Sequence, residues 1–144
     1  MGTPWRLVNR VIDLHSTVYR LSGGLIGGRI LPGGQKILLL DHVGAKSERK
    51  RTNPLLYIED GDDLVIVASK GGHPRHPAWF HNLMAHPDTV VQTGSRRRNV
   101  HARQASEQEH ERLWPRVVDA YSGYDGYQRK TQRQIPLVIL EPRE

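Results

Sequence analysis

The chain has 144 residues, 37% of them hydrophobic and 25% charged, with 21 Lys and Arg against 15 Asp and Glu and a formal charge of +6. That balance suits one globular domain with its own core and excludes a disordered chain, and no apolar run approaches the ~20 residues of a membrane-spanning helix. Cysteine is absent, which excludes disulfides, thiolate metal sites and thiol nucleophiles and makes a reducing cytoplasm the expected compartment. No apolar stretch with a small-residue cleavage site opens the chain, so a signal peptide is not expected.

Residues 5–21, WRLVNRVIDLHSTVYRL, place Trp5, Leu7, Val8, Val11, Ile12, Leu14, Val18, Tyr19 and Leu21 on one arc of a helical wheel. Arginines and polar residues fill the opposite arc, which predicts an amphipathic helix. Its apolar face either packs on the domain or lies on the inner face of a membrane. Glycines then interrupt residues 22–35, so the chain divides into an N-terminal helix with its connection (1–35) and a domain over 36–144.

That domain is strand-rich. KILLLDHV (36–43), PLLYIED (54–60), DLVIVAS (63–69), DTVVQTG (88–94) and NVHARQA (99–105) are short, branched and bounded by turn residues. Asp60-Gly61-Asp62 reads as a tight hairpin. A short helix is expected over 77–85 with Pro77 as its first residue. Ser106 and Glu109 form a capping box that opens a helix toward Tyr121, which Pro115 should kink or stop. IPLVILEP (135–142) closes the chain as a strand. The order predicts an α+β domain built on a small antiparallel barrel, with two or three helices besides the N-terminal one.

Three stretches carry candidate chemistry. GAKSERKR (44–51) is a strand-to-strand loop whose Lys46, Arg49, Lys50 and Arg51 can gather on one phosphate or carboxylate. The second, VASKGG, leaves a strand at Ser69, and Lys70, Gly71 and Gly72 can bring backbone N–H groups close to an anion. Trp79 and Asn82, three apart on the helix that follows, share a face. In the third, YSGYDGY (121–127), the three tyrosines can present their phenols to one place. Each also has a plain structural reading: a solvated basic surface, a glycine turn with a core tryptophan, and an aromatic seam. The histidines lack the spacing of a closed ligand set, so no metal site is expected.

Taken together and in this order, Gly44, Lys46, Ser47, Arg51, Pro54, Leu55 and Tyr57, then VASKGG with Pro77, Trp79, Asn82 and Leu83, then the spaced tyrosines and a terminal Ile-Pro-Leu strand, resemble the deazaflavin-dependent nitroreductase family. The resemblance runs from about residue 36 to the end. It implies an FMN-binding-like split β-barrel that takes reduced coenzyme F-420, an 8-hydroxy-5-deazaflavin with a phosphate and an oligoglutamate tail. It also implies hydride transfer to a small electron acceptor such as a quinone, nitroaromatic or enone. Carried over, Ala45, Lys46, Ser47 and Arg51 hold the phosphate and tail, and Ser69, Lys70, Gly71 and Gly72 run along the ring and linker. Ala78, Trp79 and Asn82 close the groove, and Tyr57, Ser69, Tyr121, Tyr124 and Tyr127 line the acceptor side. One departure stands out, because the family's glycine after Lys-Ser is Glu48 here. If that glycine has positive φ, Glu48 is strained or the loop is rearranged.

The alternatives are an FMN-binding split-barrel protein, a cofactor carrier without chemistry, and a nucleic-acid-binding module. FMN has one phosphate, so the cations of the 44–51 loop exceed its need. The aromatics are not interleaved with basic strands as in a base-stacking platform, so no nucleic-acid partner is expected.

Overall fold

A computed structural model of the protein describes residues 36–143. The amphipathic segment 5–21 and the glycine-rich connection lie outside the described residues. Six strands are present among the described residues: β1 (Lys36–Val43), β2 (Lys50–Asp60), β3 (Asp63–Val67), β4 (Asp88–Thr93), β5 (Arg96–Gln104) and β6 (Leu137–Pro142). Every pairing is antiparallel, and they close into a barrel in the order β1-β2-β3-β6-β5-β4. Three α-helices accompany them: α1 (Ala78–Ala85), α2 (Glu107–Ala120) and α3 (Gly123–Arg129). This is the α+β split barrel that the sequence predicts.

β3 and β6 are nearly continuous apolar runs because both of their faces are covered. Leu64, Ile66, Val138 and Leu140 point into the barrel, where Trp79, Phe80 and Leu83 of α1 join them. Val65, Val67, Leu137 and Ile139 face outward, under Leu113 and Val117 of α2 and Tyr124 of α3. β3 and β6 are therefore buried from two sides.

Several boundaries differ from the sequence-based expectation. β2 begins at Lys50, because Arg51, Thr52 and Asn53 pair with His42, Asp41 and Leu40; backbone pairing overrides their polar character. β5 begins at Arg96, opposite Thr93, after a turn at Gly94 with φ 61°. α2 runs through Pro115 without stopping. Pro115 and Glu111 are both exposed, so the carbonyl that loses its helical donor remains open to water. Pro77, for its part, is the N-cap of α1 and not its first residue.

The capping box is present. The Glu109 N–H donates to Ser106 Oγ at 3.2 Å, and the Ser106 N–H to Glu109 Oε1 at 3.0 Å. Arg103 of β5 adds a two-pronged contact to the same carboxylate at 2.6 and 2.8 Å, which with the Ser106 N–H lowers the Glu109 pKa to about 2. At the other side of the helix Arg112 and Arg116 both donate to Asp60 at 2.9–3.1 Å. These contacts tie α2 to the barrel and thereby decide where its C-cap, Tyr121, lies.

Candidate cofactor and acceptor site

β1 and β3 both run antiparallel to β2, so the loops that leave their C-terminal ends lie at the same end of the barrel. β6 enters at that end too, since Leu137 pairs with Val67. Topology thus gathers the loop after β1, the loop after β3 and the α3–β6 connection. The basic run RRR at the start of β5 (96–98) lies at the other end: Arg97 pairs with Asp41 at 3.2 Å, and Arg98 reaches the Asp62 carbonyl in the β2–β3 hairpin.

The first loop closes on itself. The Gly44 N–H donates to the Arg49 carbonyl at 2.9 Å, and the Glu48 N–H to the Gly44 carbonyl at 3.0 Å. A Cβ on Gly44 would lie 2.3 Å from Ser47 Oγ. That hydroxyl folds back to accept from the Arg49 N–H at 3.3 Å. Glu48 is exposed and has φ 57°, so the substituted position does take the left-handed conformation that glycine holds without strain. The closure leaves Ala45, Lys46, Ser47 and Arg51 exposed, which makes a cation-rich rim.

Asn82 supports this rim from below. Its Oδ1 accepts the Ala45 N–H at 2.9 Å, and its Nδ2 donates to His42 Nδ1 at 3.1 Å. His42 Nε2 in turn donates to Asn53 Oδ1 at 2.7 Å. The two partners define the tautomer, a neutral ring protonated at Nε2. His42 is 3% exposed, and its burial is the main cause of a pKa below the ordinary histidine value. Nothing in the sequence singled out His42; a lone histidine near the end of an apolar strand was the available signal.

The second loop begins when β3 ends at Val67, two residues before the predicted limit. The Ala68 N–H still reaches the Pro136 carbonyl at 3.0 Å, and the chain then changes hand. Ser69 is right-handed at φ −79°, ψ −39°, whereas Lys70, Gly71 and Gly72 have φ 45°, 62° and 81°. A right-to-left change turns successive N–H groups toward one side, the arrangement of an anion-receiving concavity. Ser69 is 9% exposed. Neither its N–H nor its hydroxyl has a partner among the described residues. Gly72 is needed for a further reason: a Cβ there would meet the Tyr127 carbonyl oxygen at 2.7 Å.

In α1, Ala78 is exposed while Trp79 is 6% exposed and packs in the barrel core. Trp79 therefore holds α1 in the barrel mouth and offers an open groove little surface.

The tyrosines converge as their spacing suggested. Tyr121 and Tyr124 meet edge to face at 5.0 Å between centroids, and Tyr127 lies 6.2 and 6.3 Å from them. The Tyr121 and Tyr127 hydroxyls share a hydrogen bond at 3.1 Å, which is the largest cause of the raised Tyr127 pKa. Gly123 makes room for this, since a Cβ there would lie 2.6 Å from the Tyr121 ring. Tyr57, Tyr121 and Tyr124, with Val65, Val67 and Val117, line a cleft of about 270 Å³ of empty space including its open mouth. Lys36, paired with Glu59 at 3.2 Å, also borders it. Tyr124 is 7% exposed and its phenol has no hydrogen-bond partner among the described residues. Burial pushes its pKa well above the ordinary phenol range, so the hydroxyl keeps its proton.

A cation-rimmed loop and a change-of-hand loop at one end of an antiparallel barrel, with a tyrosine-lined apolar cleft between the outer face of β2 and β3 and the helices α2 and α3, belong to an FMN-binding-like split barrel. Its family follows from comparison with known proteins. Residues 11–142 match the family model described as F420H(2)-dependent quinone reductase. The F420H(2)-dependent quinone reductase Rv1261c of Mycobacterium tuberculosis is 44% identical over 137 residues, covering 93% of this chain and 91% of that protein. Among solved structures, an F420-H2 dependent reductase (FDR-A) aligns with a TM-score of 0.67 at 42% identity, over 73% of this chain and 93% of that one. A chain described as a domain-swapped dimer aligns with a TM-score of 0.69 at 34% identity, over 98% and 100% of the two chains. The haem storage protein HutZ of Vibrio cholerae shares only the fold, at 11% identity and a TM-score of 0.57 over 92% of this chain and 91% of that one. The chain belongs to the F420H(2)-dependent quinone reductase family and is an oxidoreductase of that type.

Proposed function

We propose that this barrel holds reduced coenzyme F-420 across its two loops and passes a hydride to a quinone- or nitroaromatic-like acceptor in the tyrosine-lined cleft. One observation carries the reading. Ser69 and Tyr124 are both more than nine-tenths buried, yet the N–H and hydroxyl of Ser69 and the phenol of Tyr124 lack partners among the described residues. Buried polar groups in folded proteins are nearly always satisfied, so these are groups waiting for a ligand.

The residues fit a polyanionic deazaflavin. Lys46 and Arg51, on the exposed loop that also carries Ala45 and Ser47, receive the phosphate and the acidic tail. Ser69, Lys70 and Gly71 turn amides and a hydroxyl toward the linker and ring, and Gly72 brings α3 against them. Ala78 borders the groove, while Trp79 and Asn82 act from behind, one by packing and one by holding Ala45. When bound, the coenzyme supplies the hydride. The protein's part is to orient the acceptor and to stabilise charge that develops on it. Tyr124 donates from an apolar wall, where a hydrogen bond to a developing oxyanion is stronger than in water. Tyr121 and Tyr127 hold Tyr124 from two sides, and Tyr57 borders the cleft while packing against the barrel interior.

The test is a fluorescence titration with the deazaflavin coenzyme and, in parallel, FMN, followed by turnover of Tyr124→Phe with a soluble quinone. The deazaflavin is expected to bind more tightly than FMN. The substitution is expected to lower turnover roughly tenfold at unchanged cofactor affinity, the effect of one hydrogen bond made mainly in the transition state. The free variant should melt no lower than wild type, because no internal bond is lost. A lower melting temperature, or a loss confined to cofactor binding, would move Tyr124 from catalysis to packing. Tighter binding of FMN would favour the other cofactor.

The apolar cleft and the amphipathic segment 5–21 together favour an acceptor drawn from a membrane, with the protein at its inner face. Flotation of the full chain with anionic liposomes, lost on removal of residues 1–22, is the expected result; equal behaviour of both forms would end that idea.

A further inference from the structure

Arg133 ends the basic run QRKTQR (128–133), which by composition alone reads as solvated surface, yet its guanidinium turns inward. Its Nε donates to the His73 carbonyl at 2.9 Å and its Nη2 to the Ser69 carbonyl at 2.8 Å. Its Nη1 donates to the Ala68 carbonyl at 3.2 Å and to His76 Nδ1 at 2.9 Å. Among the described residues no carboxylate pairs with it. The cation is spent on the underside of one loop, the loop where the chain changes hand.

Which carbonyls it takes is the informative point. The Ala68 carbonyl and the Ser69 N–H are two ends of one peptide unit, and the Ser69 carbonyl and the Lys70 N–H are the ends of the next. Arg133 therefore holds the carbonyl ends of the two peptides whose N–H ends sit at the right-to-left change. A cation on the carbonyl oxygen polarises the peptide and makes its N–H a stronger donor. A planar fork with several bonds also sets the orientation of both units at once, which a lysine's single ammonium cannot do.

We propose that Arg133 is a positioning residue that orients and polarises the Ser69 and Lys70 amides toward the anionic part of the bound cofactor. This rests on the reading of the loop as a cofactor site. It adds a residue that touches no ligand and works through the backbone.

The experiment titrates the deazaflavin coenzyme into full-length wild type, Arg133→Ala and Arg133→Lys, each with and without about 20 mM guanidinium, far below the molar range that unfolds proteins. Folding of each is checked by thermal melting. Arg133→Ala is expected to weaken cofactor binding by about 10- to 100-fold, the range for hydrogen bonds to a charged donor. Added guanidinium should restore most of that affinity, Arg133→Lys should remain weak, and the KM for a quinone should change little. A folded Arg133→Ala that binds like wild type, or a loss that guanidinium does not mend, overturns the proposal. Failure of both variants to fold also overturns it, by making Arg133 a residue of the fold. If wild type itself binds no deazaflavin, the functional reading fails and this inference falls with it.

Discussion

Gly72→Ala is expected to destabilise the protein by about 2–5 kcal/mol, a large share of the stability of a small domain. Two independent terms add at this position. Its φ is 81°, where an L side chain costs ~1–2 kcal/mol. A Cβ would also lie 2.7 Å from the Tyr127 carbonyl oxygen, 3.0 Å from Lys130 Cβ and 3.1 Å from Tyr127 Cα. Two of those neighbours are backbone, so relief requires α3 to move away from the loop. That movement would carry Tyr124 off the cleft, and reductase activity should fall further than the folded fraction does. Gly71→Ala is the control. Its φ is 62° and nothing lies within 4 Å of its Cβ position, so it should cost only the conformational term of ~1–2 kcal/mol. Chemical denaturation of the two variants measures both. Equal losses would remove the steric contact from the account.

Asn82→Leu is the second large effect. The side chain keeps its branching and number of heavy atoms but loses both amide functions, stranding His42 Nδ1 in the interior and releasing the Ala45 N–H. The stranded nitrogen should cost about 1–3 kcal/mol. Ala45 is exposed, so water can replace its partner; what is lost there is the anchor of the cation-bearing loop. Cofactor affinity should fall by roughly tenfold from that disorder. A variant that loses stability while binding the coenzyme as tightly as wild type would show that the anchor has no part in binding.

The same chain of bonds predicts a pH dependence. Protonated His42 would bear hydrogens on both nitrogens, with one facing the Asn82 amide hydrogens, and burial opposes its charge in the same direction. The folded pKa therefore lies below the unfolded value of 6.5, so below it the unfolded state binds the proton first. Stability from this group is complete above pH 6.5 and falls as the pH drops toward the folded pKa. Equilibrium unfolding at stepped pH reads it directly, and His42→Gln should flatten that part of the profile. An unchanged profile would mean that His42 does not titrate with unfolding.

The amino-acid sequence by itself determined the strand periods, the capping box at Ser106 and Glu109, the tyrosine spacing and the glycines of the second loop. These signals are local: each depends on residues within one turn or one strand. It also carried the family, because Lys46, Ser47, the VASKGG run and the tyrosines stand in a fixed order along the chain. Even Glu48 could be read as strained before its left-handed φ was known.

Only the tertiary structure decided what residues far apart do to one another. Composition reads Arg133 as one more surface cation, because nothing local says that its four bonds go to a loop some 60 residues earlier. Asn82 reads as a ligand contact by its helical face. Its amide is instead taken by Ala45 and His42, at separations of 37 and 40 residues. Trp79 turns into the barrel because α1 plugs its mouth, and β2 and β5 extend through charged residues because a neighbouring strand pairs with them. The physical reason is common to all four. Hydrogen bonding and burial depend on which groups the closed barrel brings within a few ångströms, and barrel closure is a property of the whole chain.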